Sequence, residues 1–435
     1  DGTPWRPGGQ AGPRAAGAGG GGRAEWLQGF LKRFGPAKER AEKVSVLDFE
    51  RPLAELDKRI REVRDVATEN GVDVSEQIKE LERRAVQLRL ETFSRLTSAQ
   101  RLAVARHANR PTFLDIVMNI SDRWVELHGD RAGFDDPAMV CGIGSMNGES
   151  FMFIGHQKGR NTKENIHRNF GMPTPNGYRK ALRFMRHADK FGMPIVTFVD
   201  TPGAYAGKTA EELGQGEAIA VNLREMFGFR VPIISVVIGE GGSGGALAIG
   251  CANKSLIMEN AVYYVASPEA CAAILWKSRE KADEASKALR ITSQDMIDFG
   301  IFDGVIPEPA GGAHTDPMAA FPAIREHVLA AWEGMRNMSE EECRVQRYAK
   351  FRAIGEFTGA EDAEGSAGGP AESAKFSSAL QQESNVQVPD QPPGLNDGML
   401  ALGGMLQGLD LTNDEDLGEA QSVTEALQDQ MQQNS

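Results

Sequence analysis

The chain is expected to fold as an α/β protein in which buried strands alternate with helices behind a helical N-terminal region. Three observations predict this. From Ala138 onward, short β-rich runs alternate with helical ones over βαβ-like distances. Runs such as Ile195-Val196-Thr197-Phe198-Val199 lack polar alternation, as strands covered on both faces do. Two glycine-bearing loops follow successive apolar runs, where parallel sheets place their ligands.

Composition narrows the function classes. A length of 435 residues suggests two to three domains. Only Cys141, Cys251, Cys271 and Cys343 are present, with no C-x-x-C pair, which argues against a disulfide scaffold and a zinc ribbon. The most apolar long stretch, 231–252, contains Glu240 and a glycine cluster and makes a poor membrane span. The net charge of −13 lies in residues 358–435, which hold 14 acidic residues and one basic residue, Lys375. The rest of the chain is neutral, so no nucleic-acid footprint is expected.

The elements follow in order. Residues 1–46 are expected to be a flexible N-terminal segment. Residues 1–22 are rich in Gly, Pro and Ala and cannot bury enough apolar surface to offset ordering entropy. Eight basic and four acidic residues up to Lys43 suit either the remnant of an organelle-targeting region or a linker. Residues 47–137 are expected to form an N-terminal helical region. Leu53, Leu56, Ile60 and Val63 recur at helical spacing, Asn70-Gly71 breaks the run, and Ile78, Leu81, Ala85 and Leu88 resume it. This reads as an αα-hairpin that packs onto the body. Thr97 with Gln100 predicts a capping box for a helix through His107, and Pro111 suits the first turn of the next.

Residues 138–335 are expected to be an α/β domain. Strands are predicted at 138–145, 150–156, 194–200, 232–239 and 255–265, with helices at 176–191, 210–227 and 243–252. Thr209 with Glu212 predicts a second capping box. For Ser267-Pro268, an N-cap followed by proline at N1 explains the spacing without function. Residues 336–435 are expected to be a C-terminal extension, mostly a disordered acidic tail. Within it, 399–411 has apolar residues that suit a partner-binding helix or arise by chance.

The sharpest feature is GEGGSGGA at 239–246, between an apolar strand and a small-residue helix. Glycines allow close backbone approach, and peptide N–H groups at a helix start converge on negative charge. Three chemical readings compete. Gly239-x-Gly241-x-x-Gly244 fits a dinucleotide fingerprint, a weak signal on its own. Gly241-x-Ser243-x-Gly245 fits a nucleophile elbow, which needs a base that none of the seven histidines evidently supplies. The third is an oxyanion-hole loop, with Ser243 as a turn residue. Tight helix–strand packing without chemistry is the plain structural alternative. A second loop, DTPGAYAG at 200–207, also follows an apolar strand. Two such loops about 35 residues apart fit a single dinucleotide site poorly. A basic stretch, 156–190, carries Lys158, Arg160, Lys163 and Arg168, which could meet phosphates or a carboxylate, or form a solvated or partner-facing surface. Glu240 reads as a possible buried structural acid.

Several long motifs in order carry a resemblance to a known family. They are FVDTPGAY at 198–205, IGEGGSGGALAIG at 238–250, SPEACAAILW at 267–276, GHQKGR at 155–160, NFGMP at 169–173, PEPAGGAH at 307–314 and LDFE-x-P at 47–52. Together they resemble the carboxyltransferase α subunit of multi-subunit acetyl-CoA carboxylase, from about Leu47 to Met335. The resemblance implies a crotonase-like (ClpP-type) ββα superhelix across 138–335. It implies transfer of a carboxyl group from carboxybiotin to acetyl-CoA, giving malonyl-CoA for fatty-acid synthesis. It implies an α2β2 assembly with a carboxyltransferase β subunit that carries the zinc. Biotin would arrive on a carrier protein, charged by an ATP-dependent biotin carboxylase, with no cofactor held covalently by this chain.

On this resemblance the oxyanion role falls on Gly244 and Gly245, with Gly203 and Gly207 placed by loop position. Lys158, Arg160 and Tyr205 become expected substrate contacts. The biotin ureido nitrogen would act as base, leaving Ser243 as a turn residue, and this chain would hold the biotin half of the site. The chain departs from the common pattern at Ala206, where many relatives carry proline. The start at Asp1 and the flanking segments lead to the expectation of a plastid stromal protein with its transit peptide removed, a bacterial cytoplasmic protein being the alternative. Peripheral membrane anchoring through a partner is compatible with the tail. The rivals are a ClpP-class serine peptidase using Ser243, a self-sufficient enoyl-CoA hydratase or isomerase, and a non-enzymatic scaffold.

Overall fold

A hairpin of two amphipathic helices opens the structure, a computed structural model that describes residues 46–70 and 75–355. These are α1 (Arg51–Asn70) and α2 (Ser75–Ser94). The apolar spacing of the sequence is used as expected: Leu53, Ile60, Ala85 and Phe93 are buried. Ion pairs Arg64–Glu82 (2.7 Å) and Arg89–Asp57 (2.6 Å) cross-link the outer faces. Leu53 and Phe93 cluster with Val104 of α3 (Ser98–Ala105), which seats the hairpin on the body. The α3 capping box forms as predicted: the Gln100 N–H donates to Thr97 Oγ1, and the Thr97 N–H to Gln100 Oε1. In α4 (Phe113–Ile120), Pro111 lies outside the helix rather than in its first turn. Thr112 is the N-cap, because its N–H and hydroxyl both donate to Asp115 Oδ2.

One mixed sheet then organises the molecule. Strands β1 (Arg123–Leu127), β2 (Met139–Met146) and β3 (Glu149–His156) are antiparallel neighbours. After α5 (Thr162–His167) and α6 (Pro175–Phe191), β4 (Ile195–Thr201) adds parallel to β3. Helices α7 (Lys208–Glu212) and α8 (Gln215–Gly228) lead to β5 (Ile233–Gly242), parallel to β4 and buried throughout. A single turn of helix, α9 (Ser243–Leu247), follows directly. β6 (Lys254–Met258) pairs with the first half of β5, and β7 (Val262–Tyr264) with its last residues, Glu240 to Gly242. One long strand thus serves two successive neighbours.

The chain continues through α10 (Pro268–Trp276), α11 (Ala282–Ala288) and α12 (Ser293–Asp298) to β8 (Gly304–Ile306), which closes the sheet beside β6. The last described elements are α13 (Pro317–Glu333) and α14 (Glu340–Arg352). The apolar strand runs are buried between helices, as their lack of alternation predicts.

Several expectations are corrected. The 47–137 region is not purely helical, because β1 pairs along β2 in full register. The 255–265 run is two strands, broken at 259–261 so that β5 changes neighbour. The 210–227 helix is two helices, divided by Gly214 at φ +78°. No capping box forms at Thr209, which lies inside α7 with Gly207 as N-cap. The helix after Gly242 is only five residues long. Order also extends past Met335. In α14, Arg347 is fully buried and donates to the carbonyls of Phe229 (2.8 Å) and Val231 (2.7 Å) and to Asn253 Oδ1 (2.7 Å). That satisfaction of backbone groups at the end of α8 holds the helix on the domain. The expectations for 1–45, for the Asn70-Gly71 break beyond Asn70 and for 356–435, including 399–411, lie outside the described residues.

Candidate active site at two glycine loops

The two loops singled out in the sequence leave adjacent parallel strands, β4 and β5, and meet. A Cβ on Gly242 would lie 2.1 Å from the Pro202 carbonyl oxygen. A Cβ on Gly245 would lie 2.5 Å from the Ala204 nitrogen and 2.9 Å from the Tyr178 hydroxyl. Only glycine permits backbone approach this close. The Thr201 hydroxyl shapes the first loop by donating to the Gly203 carbonyl (2.6 Å) and accepting from the Gly203 N–H (3.1 Å). Gln215 Nε2 ties it down from below, donating to the carbonyls of Pro173 and Tyr205.

The predicted glycines occupy different positions in this junction. Gly244 and Gly245 begin the α9 turn. Gly245 is buried, whereas Gly244 is half-buried, and a Cβ there would meet nothing closer than Ile219 at 3.7 Å. Gly203 has φ +155° and open space where a Cβ would go. Gly207 lies farther along, at the start of α7, with the Tyr205 ring 2.9 Å from its Cβ position. Ser243 is exposed and adopts φ +52°. Among the described residues, no hydrogen bond joins it to a histidine. His156, buried close by on β3, is neutral: burial and the Lys158 charge push it down to about 3, with the Gly245 backbone acting weakly the other way. Its Nδ1 accepts from the Asp200 N–H (3.3 Å).

Directly behind the loops lies a charge network that sequence reasoning largely missed. Glu240 accepts hydrogen bonds from Lys158 Nζ (2.8 Å), Arg106 Nε (2.7 Å) and the Tyr264 hydroxyl (2.9 Å). Lys158 also pairs with Asp200 (2.8 Å), and Arg106 with Glu269 (2.6 Å). Burial alone would raise the Glu240 pKa, but the Lys158 and Arg106 charges outweigh it and hold it at about 2. Glu240 is thus a fixed anion, neither acid nor base near neutral pH. A second buried pair, Arg110–Glu308 (2.6 Å), stands beside it, with Arg110 Nε donating to the Ile238 carbonyl. Burial would also raise Glu308, and Arg110 holds it at about 2. Asp200 sits inside a motif already noted. Arg106 carries no local signal, because only the folded chain brings α3 to β5.

The predicted substrate contacts divide. Lys158 is committed to the network, its side chain 19% exposed. Arg160 is exposed and pairs with Asp115. Tyr205 is half-buried at the loop junction, its N–H donating to the Pro173 carbonyl. Of the other basic candidates, Arg168 donates to the Pro137 carbonyl (2.8 Å) and Lys163 is exposed. An apolar surface flanks the site. Val265, which follows the β7 residue paired with Gly242, is 83% exposed, and Ile274 and Leu275 on α10 are 75% and 66% exposed.

Away from the loops, Glu50, His107 and His314 bring potential ligand atoms within 4.8 Å of one another. Their geometry is that of a hydrogen-bonded latch, with His314 Nε2 2.7 Å from Glu50 Oε1. Among the described residues, no helix is long and apolar enough to cross a membrane.

The family described as acetyl co-enzyme A carboxylase carboxyltransferase-like matches residues 46–355. The chloroplastic acetyl-coenzyme A carboxylase carboxyl transferase subunit alpha of Arabidopsis thaliana is 60% identical over 328 residues, 75% of this chain and 42% of that protein. The corresponding alpha subunit of Synechococcus elongatus is 57% identical over 317 residues, 73% of this chain and 97% of that protein. The chain therefore spans under half the length of the plant relative and nearly all of the cyanobacterial one. A solved structure of transcarboxylase 12S, with methylmalonyl-coenzyme A and methylmalonic acid bound, is 23% identical, with a TM-score of 0.42 over 50% of this chain and 40% of that one.

Proposed function

This chain belongs to the family of acetyl-CoA carboxylase carboxyltransferase α subunits, and from that premise we propose that its converging glycine loops form the anion-stabilising part of a site completed by a β subunit. The fold is crotonase-like, and the activity is carboxyl transfer to acetyl-CoA, giving malonyl-CoA. Carboxybiotin, presented by a separate carrier protein, supplies the carboxyl group. Carboxyl transfer develops negative charge on oxygen atoms, and peptide N–H groups at Gly244 and Gly245 suit that charge, with Gly203 opposite and Gly207 farther along the same loop. A donor of this kind contributes about 2.7–4 kcal/mol to the transition state. The observation that carries the proposal is the contact between the loops at Gly242–Pro202 and Gly245–Ala204. It fixes two peptide segments from different strands around one point.

Among the described residues, no side chain beside the loops is poised as the base. Glu240 is locked between two cations, and His156 is fully buried, its Nδ1 accepting from the Asp200 N–H. That favours proton removal by a group delivered with the substrates, the biotin ureido nitrogen. Lys158 then acts behind the loop rather than on substrate, while Arg160 and Tyr205 remain the candidates for contact with CoA or the transferred carboxylate.

The exposed apolar residues Val265, Ile274 and Leu275 support a β subunit as their cover, because Val265 directly follows the strand paired with Gly242 and α10 comes next in the chain. A partner seated there would also exclude water from the loops. An α2β2 assembly, a biotin carboxyl carrier protein and a biotin carboxylase belong to the same proposal, as do zinc on the β subunit and a location in the plastid stroma or a bacterial cytoplasm.

The test is malonyl-CoA-dependent carboxylation of free biocytin, the reverse half-reaction. This chain alone should be inactive, and mixed with a plastid or cyanobacterial carboxyltransferase β subunit it should be active. Ser243→Ala should keep most of that activity. Loss of activity with Ser243→Ala would instead favour a serine nucleophile.

A further inference from the structure

Each glycine loop has a buried carboxylate at or next to its first residue. Asp200 lies three residues before Gly203, and Glu240 three residues before Ser243. The two carboxylates lie side by side across β4 and β5. Asp200 Oδ1 accepts the Glu240 N–H at 3.0 Å, and the same oxygen would sit 2.3 Å from a Cβ on Gly239. Two anions this close, out of water, repel strongly unless a cation stands between them. Lys158 is that cation, 2.8 Å from each. It comes from the segment after β3, so one ammonium ties three successive strands together where the loops depart.

We propose that Lys158 is a positioning residue for carboxyl transfer, holding the Asp200 and Glu240 strand ends at the spacing that brings the two glycine loops into contact. The inference rests on the carboxyltransferase reading and adds the part that sets the loop geometry. Other groups facing the pair are Arg106 from α3, Tyr264 from β7, Glu269 of α10 through Arg106, and His156 from β3 through the Asp200 N–H. None of these pairs with both carboxylates, as Lys158 does. Arg106 reaches Glu240 alone, so it cannot replace the bridge.

Removing the ammonium leaves an uncompensated anion behind the loops. Asp200 is the carboxylate left without a cation, and the strain is relieved when the coupled Asp200–Glu240 pair takes up a proton, so the defect should shrink on acidification. The experiment compares wild type, Lys158→Met, Lys158→Arg and Lys158→Met/Asp200→Asn, each as the full chain assembled with a β subunit. The readout is malonyl-CoA:biocytin carboxyl transfer from pH 6 to 8.5. The double variant removes one positive and one negative charge and so tests the bridge without a stranded anion, even where Lys158→Met assembles poorly.

Lys158→Met is expected to lose about a hundredfold in kcat at pH 8.5 with the KM for malonyl-CoA little changed, the size of effect that follows a small misplacement of reacting groups. The loss should narrow toward pH 6. Lys158→Arg should recover part of the rate, and the double variant should be less impaired than Lys158→Met at pH 8.5 and lack its acid-side recovery. An unchanged kcat in Lys158→Met, or a raised KM with kcat intact, would overturn the inference and make Lys158 a dispensable or substrate-binding residue. So would a loss that is the same at every pH in both Lys158→Met and the double variant. An inactive wild-type assembly would instead overturn the carboxyltransferase reading, and the inference with it.

Discussion

At the residue scale, neighbouring glycines of one loop have opposite tolerances. Gly245 is wedged against Ala204 and Tyr178, so even one methyl group forces the loops apart. Gly245→Ala should lower stability by about 1–3 kcal/mol, the usual cost of overpacking, and a drop in the thermal midpoint would register it. Gly244 has room for a Cβ, so a small side chain there should leave the fold intact and act mainly on the ligand side. The glycine cluster was legible in the sequence as a site for close approach, because no other residue type needs such a run. Which glycine is packed and which is open was not legible, since that depends on the Pro202 loop and on Tyr178 from α6. Lys158 makes the same point from the other side. Its position in a basic stretch suggested a ligand for anions, whereas its partners are Asp200 and Glu240, reached only through strand order.

At the element scale, two contacts far from the loops decide how the outer helices sit on the sheet. The hairpin is latched by Glu50 to His314, 2.7 Å apart and buried beside His107. Burial would raise the Glu50 pKa, but the His314 hydrogen bond and charge, the Leu47 N–H and the His107 charge outweigh it and lower it from 4.5. A depressed carboxylate stabilises the fold above its unfolded pKa and stops doing so as pH falls through the folded value. Glu50→Gln should therefore cost about 1–3 kcal/mol near pH 7, and the gap from wild type should close as pH falls below about 4.5. Thermal melts of both proteins across that range are the check, and a gap independent of pH would contradict the latch.

The second contact is Arg347 of α14, whose guanidinium fills the end of α8 with hydrogen bonds to Phe229, Val231 and Asn253. Arg347→Met should leave several buried acceptors unpaired and destabilise by about 3 kcal/mol or more, measurable by denaturant unfolding. Helical spacing made the hairpin legible in sequence. It did not reveal α14, whose surface-like charge pattern conceals one arginine that turns inward. Nor did it reveal β1, whose Arg123-Trp124-Val125-Glu126-Leu127 run reads as a strand only once β2 supplies its partner.

At the scale of the whole molecule, the described residues, 46–70 and 75–355, fall within the family match at 46–355, and exposed apolar residues follow the strand beside the glycine loop. The order of β4, β5 and β7 explains why. β5 carries the glycine loop beyond its pairing with β4 and β6, and β7, paired with the last residues of β5, leads into Val265 and α10, so the loop and the apolar residues lie at one end of the sheet. Motif order made the family legible; the junction of the loops required the parallel register of β4 and β5. The measurement that tests the central claim most directly is the malonyl-CoA:biocytin reaction of this chain assembled with a β subunit, comparing wild type with Gly244→Val. The loop account predicts a variant that folds and assembles normally yet loses about 10²–10³ in kcat, as for removal of one oxyanion donor. Equal activity in the two assemblies would contradict it and place the anion site elsewhere.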